Sequence, residues 1–119
     1  MNRKIIAVVD DMFFASKIRA VAEALAVEIS FPRTKEAVLA KARETKPELV
    51  LVDLHNQRLD PVDLARGLKS DEELREIPLL GFFSHVQVQL QRDAVDAGYD
   101  QVVPRSLFSK DLAAILSGQ

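Results

Sequence analysis

Two carboxylates stand side by side at Asp10 and Asp11, directly after the apolar run Ile5-Ile6-Ala7-Val8-Val9; a third, Asp53, closes the run Leu49-Val50-Leu51-Val52. Adjacent anions at the edge of a core cost free energy unless a cation compensates them. Three acids in one place would suit a hard divalent cation such as Mg²⁺, which takes a few carboxylates and fills its octahedral shell with water. A lone acid at the end of a strand is more often a helix N-cap, and Asp11 stands where it could cap the helix that follows. The choice turns on whether the chain brings the three acids together.

The elements that must position them are legible as periodicities. Lys4 to Val9, Leu49 to Val52 and Leu79 to Phe83 are continuous, largely apolar stretches, as expected of parallel strands covered on both faces. Ala26 to Phe31 and Gln101 to Val103 are shorter strand candidates. Between them Phe14, Ile18, Val21, Ala22 and Leu25 share one helical face, and Leu112, Ile115 and Leu116 another. Asp60-Pro61-Val62-Asp63 offers an Asp N-cap, proline at the first helical position and an acid in the first turn. Ser84-His85-Val86-Gln87 predicts a capping box, and Gly98 a left-handed helix end. Residues 69–78, KSDEELREIP, read as a charged connection.

Strand and helix thus alternate five times, which predicts a three-layer α/β/α sandwich around a five-stranded parallel sheet. In such sheets ligands bind beyond the carboxyl ends of the strands, where the winding direction reverses. With the strand order 2-1-3-4-5, that reversal lies between the first strand and the third, about 4.8 Å apart. Asp10, Asp11 and Asp53 are therefore expected to converge there, and for three acids at one such point the metal outweighs the cap.

Composition narrows the classes. The 119 residues suit one domain, 1–119, with 48% hydrophobic and 29% charged residues, as in soluble globular proteins. No apolar run approaches the roughly 20 residues of a membrane span, and Met1-Asn2-Arg3-Lys4 precedes too short a run for a secretory signal. The expectation is a cytoplasmic protein that does not engage a membrane. With no cysteine, disulfides, thiolate metal sites and cysteine nucleophiles are excluded. A net charge of −2 with interspersed signs gives no footprint for nucleic acid. The four glycines are scattered, so there is no phosphate-binding glycine loop.

Four segments carry a family likeness: VVDD at 8–11, ELVLVDL at 48–54, IPLLGFFS at 77–84 and DAGYDQVV at 96–103. In order and spacing they resemble the receiver domains of two-component response regulators, the chemotaxis regulator among them, over nearly the whole chain. The resemblance implies a flavodoxin-like fold with Asp53 as phosphoacceptor, charged by a sensor histidine kinase, a phosphotransfer protein or a small phosphodonor. It implies Mg²⁺ at Asp10, Asp11 and Asp53 with the backbone carbonyl of His55, and a hydroxyl at Ser84 that bonds the new phosphoryl group. It further implies no enzymatic activity beyond self-phosphorylation and autodephosphorylation. A downstream partner would dock on the fourth helix, fifth strand and fifth helix, and a homodimer is compatible with the family. Phosphoryl transfer works mainly by in-line positioning and charge neutralisation, for which this residue set is suited.

The sequence departs from the family in several places. Where a lysine followed by proline is usual, Arg105-Ser106 stands; arginine is planar and bulkier, and can pair with a phosphoryl group or neutralise the acids permanently. A cis Arg105-Ser106 bond would cost about 2.5–4 kcal/mol, so trans is expected there, while Val103-Pro104 could itself be cis. Gln57 and Pro61 replace the usual proline and glycine after the phosphoacceptor, His85 replaces a small residue beside Ser84, and Val102 occupies the aromatic switch position. Arg105, His85 and Val102 support an alternative of another class, a pseudo-receiver that binds proteins without phosphorylation. A small Mg²⁺-dependent phosphatase is a distant third, because the chain has no segment for a lid. Ser84 could serve only as a cap, His55 and His85 only as solvated loop residues, and Phe13, Phe14, Phe82, Phe83 and Phe108 as core or partner surface.

Overall fold

In the computed structural model, which describes residues 2–118, the apolar runs form five parallel strands in the order β2-β1-β3-β4-β5. These are β1 (Lys4–Val8), β2 (Glu28–Ser30), β3 (Leu49–Asp53), β4 (Leu79–Phe83) and β5 (Gln101–Pro104). The helices are α1 (Met12–Ala24), α2 (Lys35–Thr45), α3 (Pro61–Ser70), α4 (Val88–Ala97), α5 (Arg105–Lys110) and α6 (Leu112–Ser117). The predicted sandwich and strand order are both observed. β2 is shorter than its apolar run, and β3 extends one residue further to include Asp53 itself. The last helix is broken in two at Asp111, which closes α5 and opens α6.

Because successive strand residues face opposite ways, the continuous runs supply two cores. Ile6, Val8, Val50, Val52, Leu79 and Phe83 pack with α2, α3 and α4. Ile5, Ala7, Leu49, Leu51, Leu80 and Phe82 pack with α1, α5 and α6. β1 lies between β2 and β3, with Val8 opposite Val52, so the chain leaves β1 and β3 at the same end of the sheet. That end is where α1 and the loop to α3 begin.

The helix signals resolve unevenly. Asp60 caps α3 by accepting from the amides of Val62 and Asp63, with Pro61 at the first helical position. Gly98 ends α4 at φ 119°, in the left-handed region that favours glycine. The capping box predicted at Ser84 does not form: α4 starts later, at Val88, and its N-cap Gln87 makes no side-chain cap bond. Ser84 is exposed and makes no hydrogen bond among the described residues, so the capping role considered for it is not the one it performs. Among the described residues all peptide bonds are trans, including Val103-Pro104. No described helix is long and apolar enough to cross a membrane.

Below the sheet's carboxyl edge the second core is aromatic. Phe82 is fully buried, stacked on Phe108 at 4.6 Å and edge-on to Phe14 at 5.3 Å between ring centroids. On the other face Tyr99 is buried and its hydroxyl donates to the carbonyl of Pro61 at 2.9 Å, tying the start of β5 to the start of α3. Burial holds the Tyr99 phenol far above its ordinary pKa, so it acts only as a donor. Phe13, by contrast, is 90% exposed at the first turn of α1, so the five phenylalanines singled out in the sequence divide between core and surface.

Candidate functional site

Asp53 is the one charged residue buried among the described residues, 6% exposed at the last position of β3. One carboxylate oxygen accepts the amide of His55 at 2.9 Å. The other has no hydrogen-bond partner among the described residues and is not sealed from solvent. Burial raises its pKa above the ordinary value; the His55 amide opposes this, the Asp10 charge adds to it, and the Arg105 charge again opposes it. A carboxylate desolvated in this way is a stronger base and depends on nearby cations to stay ionised.

Asp11 does two things at once. Its Oδ1 accepts the amides of Phe13 and Phe14 at 3.0 and 3.1 Å, capping α1 as the sequence allowed. Its Oδ2 accepts Nη2 of Arg105 at 3.2 Å. The pKa of Asp11 is lowered, chiefly by the Phe14 amide and, against some desolvation, by Arg105. A lowered carboxylate contributes stability above its ordinary value of 3.8, lost as the pH falls through the folded-state value. Asp11→Ala is therefore expected to cost about 1 kcal/mol at neutral pH, as lost N-caps do. In urea titrations that gap should shrink in acid; a gap independent of pH would contradict the assignment.

Arg105 reaches Asp11 from the opposite end of the chain because Phe14 supports it: the guanidinium carbon lies 3.9 Å from that ring's centroid. The stack rests in turn on Phe82 and Phe108. The expectation of three converging carboxylates is thus met in part. Among the described residues no group of three His, Cys, Asp or Glu side chains is gathered to hold a metal. Asp10 lies close enough to Asp53 to act on its charge, and accepts the amide of Gln57 at 3.2 Å. Asp11 is turned aside by its cap and its guanidinium. The donors left for a hard cation are carboxylate oxygens, those of Asp53 and Asp10. One or two carboxylates completed by water suit Mg²⁺, so the donor set fits that ion without Asp11.

The rim is built from the loops after β3 and β4. Asn56 accepts the amides of Arg58 and Leu59 and its own amide reaches the carbonyl of Val8 at 3.4 Å, fixing the loop without the family's usual proline. Sequence reasoning read His55 and His85 as separate solvated residues; they meet. Nε2 of His55 accepts the amide of His85 at 3.4 Å, and the rings pack edge to face at 5.5 Å. The separation of 30 residues hides this pairing from any local pattern. Ser84 lies exposed just past the end of β4, two residues after Phe82, whose Cα partner in the sheet is Asp53. Val102 on β5 is partly buried against the first core, without the aromatic ring expected of that position.

Comparison with known proteins places this arrangement. No protein-family model matches the chain. It is 37% identical over 79 residues to the response regulator protein VraR of Staphylococcus aureus, a stretch covering 66% of this chain and 36% of that protein. The match therefore spans just over a third of the curated relative's length. Among solved structures, a response regulator from Chloroflexus aurantiacus superposes with a TM-score of 0.84 at 14% identity, covering 99% of this chain and 97% of that one. The chemotaxis response regulator CheY4 of Vibrio cholerae gives 0.83 at 13% identity, covering 99% and 98%. The phosphorylated cyanobacterial phytochrome response regulator RcpA gives 0.76 at 24% identity, covering 99% and 91%. At these identities the structural likeness is one of fold. The resemblance to receiver domains drawn from the four motifs holds in fold over the chain and in sequence over the 79 matched residues.

Proposed function

We propose that this chain, with its receiver-domain fold, accepts a phosphoryl group on Asp53 in a two-component phosphorelay. The donor would be a phosphohistidine of a sensor histidine kinase or phosphotransfer protein, or a small phosphodonor. The observation that carries the reading is the buried Asp53 at the switch point of the sheet, one oxygen held by the His55 amide and the other open. In the transfer the open oxygen attacks phosphorus, the bond from phosphorus to the donor imidazole breaks, and the imidazole leaves with the bonding pair. Mg²⁺, when bound, would neutralise charge on the transferring oxygens; Asp10, Asp53 and the carbonyl of His55 would hold it. Asp11 contributes by orienting Arg105.

The remaining residues act after transfer. The unengaged hydroxyl of Ser84 would donate to a phosphoryl oxygen. Arg105 would exchange Asp11 for the phosphoryl group, to which its planar fork can bond twice. That exchange would shift a two-state equilibrium felt on the face of α4, β5 and the α5–α6 pair, where a downstream partner or a second copy would dock.

A second reading has one specific observation in its favour: the guanidinium of Arg105 already pairs with Asp11, as it would in a pseudo-receiver that signals by binding alone. Incubation with Mg²⁺ and acetyl phosphate, followed by intact mass, separates the two. The first reading expects a phosphoryl adduct, and a spectral change with beryllofluoride. Neither adduct nor change would overturn it and leave the second.

A further inference from the structure

A second charged cleft opens beside the acid site, on the other side of Asp10. It measures about 190 Å³ and is lined by Asp10, Met12, Arg19, Phe31, Arg33 and Arg58 among others. The three arginines come from α1, the loop after β2 and the loop after β3, so only the folded chain assembles them. Asp53, Ser84 and Arg105 do not line it.

Among the described residues none of the three guanidiniums is paired with an acid. The ion pairs among the described residues engage Lys35, Lys41, Arg43, Lys69 and Arg105, and none involves Arg19, Arg33 or Arg58. Nor does any of the three side chains donate a hydrogen bond to a described residue. In a chain with 18 acidic against 16 basic residues, carboxylates to pair with them are plentiful. The one acid in the cleft, Asp10, faces the Gln57 amide instead. The guanidinium carbon of Arg19 lies over the Phe31 ring, 4.6 Å from its centroid, a contact that leaves its N–H donors without an acceptor among the described residues. With three cations and one anion, the lining carries an excess of two positive charges.

We propose that this cleft binds a small phosphate-bearing molecule. Planar forks arriving from three elements call for an acceptor whose oxygens point in several directions. A tetrahedral phosphoryl group or a pyrophosphate meets that demand, whereas a carboxylate offers its oxygens in one plane. The volume admits a group of that size and excludes a helix. The cleft shares Asp10 with the acid site but not Asp53, Ser84 or Arg105.

Inorganic pyrophosphate is the probe, titrated calorimetrically into the whole chain in EDTA, so that no Mg²⁺ site contributes. Saturable one-site binding is expected in the wild type, retained in Asp53→Asn, and weakened about tenfold or more in Arg33→Gln and in Arg58→Gln. Both arginines are exposed, and unchanged circular dichroism would show that the variants are folded. Absence of saturable binding would overturn the proposal, as would binding indifferent to both arginines. Binding markedly tightened in Asp53→Asn would place the anion in the acid site, where the substitution removes a like charge, and overturn it too. Citrate, a polyanion without phosphorus, should bind distinctly more weakly; equal binding would refute the assignment to phosphate.

Discussion

Asp53→Asn is expected to remove phosphoryl uptake altogether and, at the same time, to make the protein more stable at pH 7. The two effects have one cause. Desolvation of the buried carboxylate raises its pKa, so the folded chain holds that proton more tightly than the unfolded chain. Wild-type stability therefore falls as the pH rises from the ordinary value of 3.8 through the raised folded-state value, and stays reduced above it. Asparagine keeps the shape and the acceptor for the His55 amide but carries no charge to desolvate. Urea unfolding should place the variant's midpoint above the wild type's at pH 7, with the two converging in acid. A variant less stable than the wild type at neutral pH would mean that the carboxylate is a net structural asset. Persistent adduct in the mass spectrum would place the phosphoryl group elsewhere.

The second large effect concerns the aromatic stack. Phe82→Ala removes one of three rings in mutual contact, the one stacked on Phe108 and edge-on to Phe14. Its cost is expected at about 3–5 kcal/mol, the transfer energy of the ring plus that of the cavity left behind. Against a total of roughly 5–15 kcal/mol for an ordinary domain, that is a large share. Phe14 also supports Arg105, so the variant should loosen the guanidinium from Asp11 as well. Urea denaturation measures the first effect, and a rise in the Asp11 carboxyl pKa followed by NMR measures the second. Phe82→Leu should fold and show both in weaker form. A loss below about 1 kcal/mol for the alanine variant would show that the stack closes over the gap.

The sequence made the sheet legible because each core strand is covered on both faces, so Ile5 to Val8, Leu49 to Val52 and Leu79 to Phe83 are apolar without interruption. Asp60 and Gly98 announced their helix ends through local chemistry that tertiary contacts do not override. Ser84 misled for the opposite reason. It has the residue type and spacing of a cap, but the chain leaves β4 in a bend and starts α4 beyond it. Which acids stand at this edge of the sheet was legible, and how they are wired was less so. That Asp10, Asp11 and Asp53 share one edge follows from strand order alone. That Asp11 is drawn off by Arg105 depends on a contact spanning 94 positions and on a ring beneath the guanidinium. The three arginines of the second cleft, at 19, 33 and 58, are equally dispersed, and no window of sequence holds them together.

No loop separates β5 from α5. Pro104 is the last residue of the strand and the N-cap of the helix, and Arg105 is the helix's first residue. In mechanical terms the joint has no slack. A displacement of the guanidinium toward a new anion at Asp53 is taken up by its own side chain or handed straight to a six-residue rod. That rod is pinned at Phe108 by the stack and hinged at Asp111, where the next helix begins. α5 is thus tied at three points along six residues: to the sheet at Pro104, to the aromatic stack at Phe108 and to the next helix at Asp111.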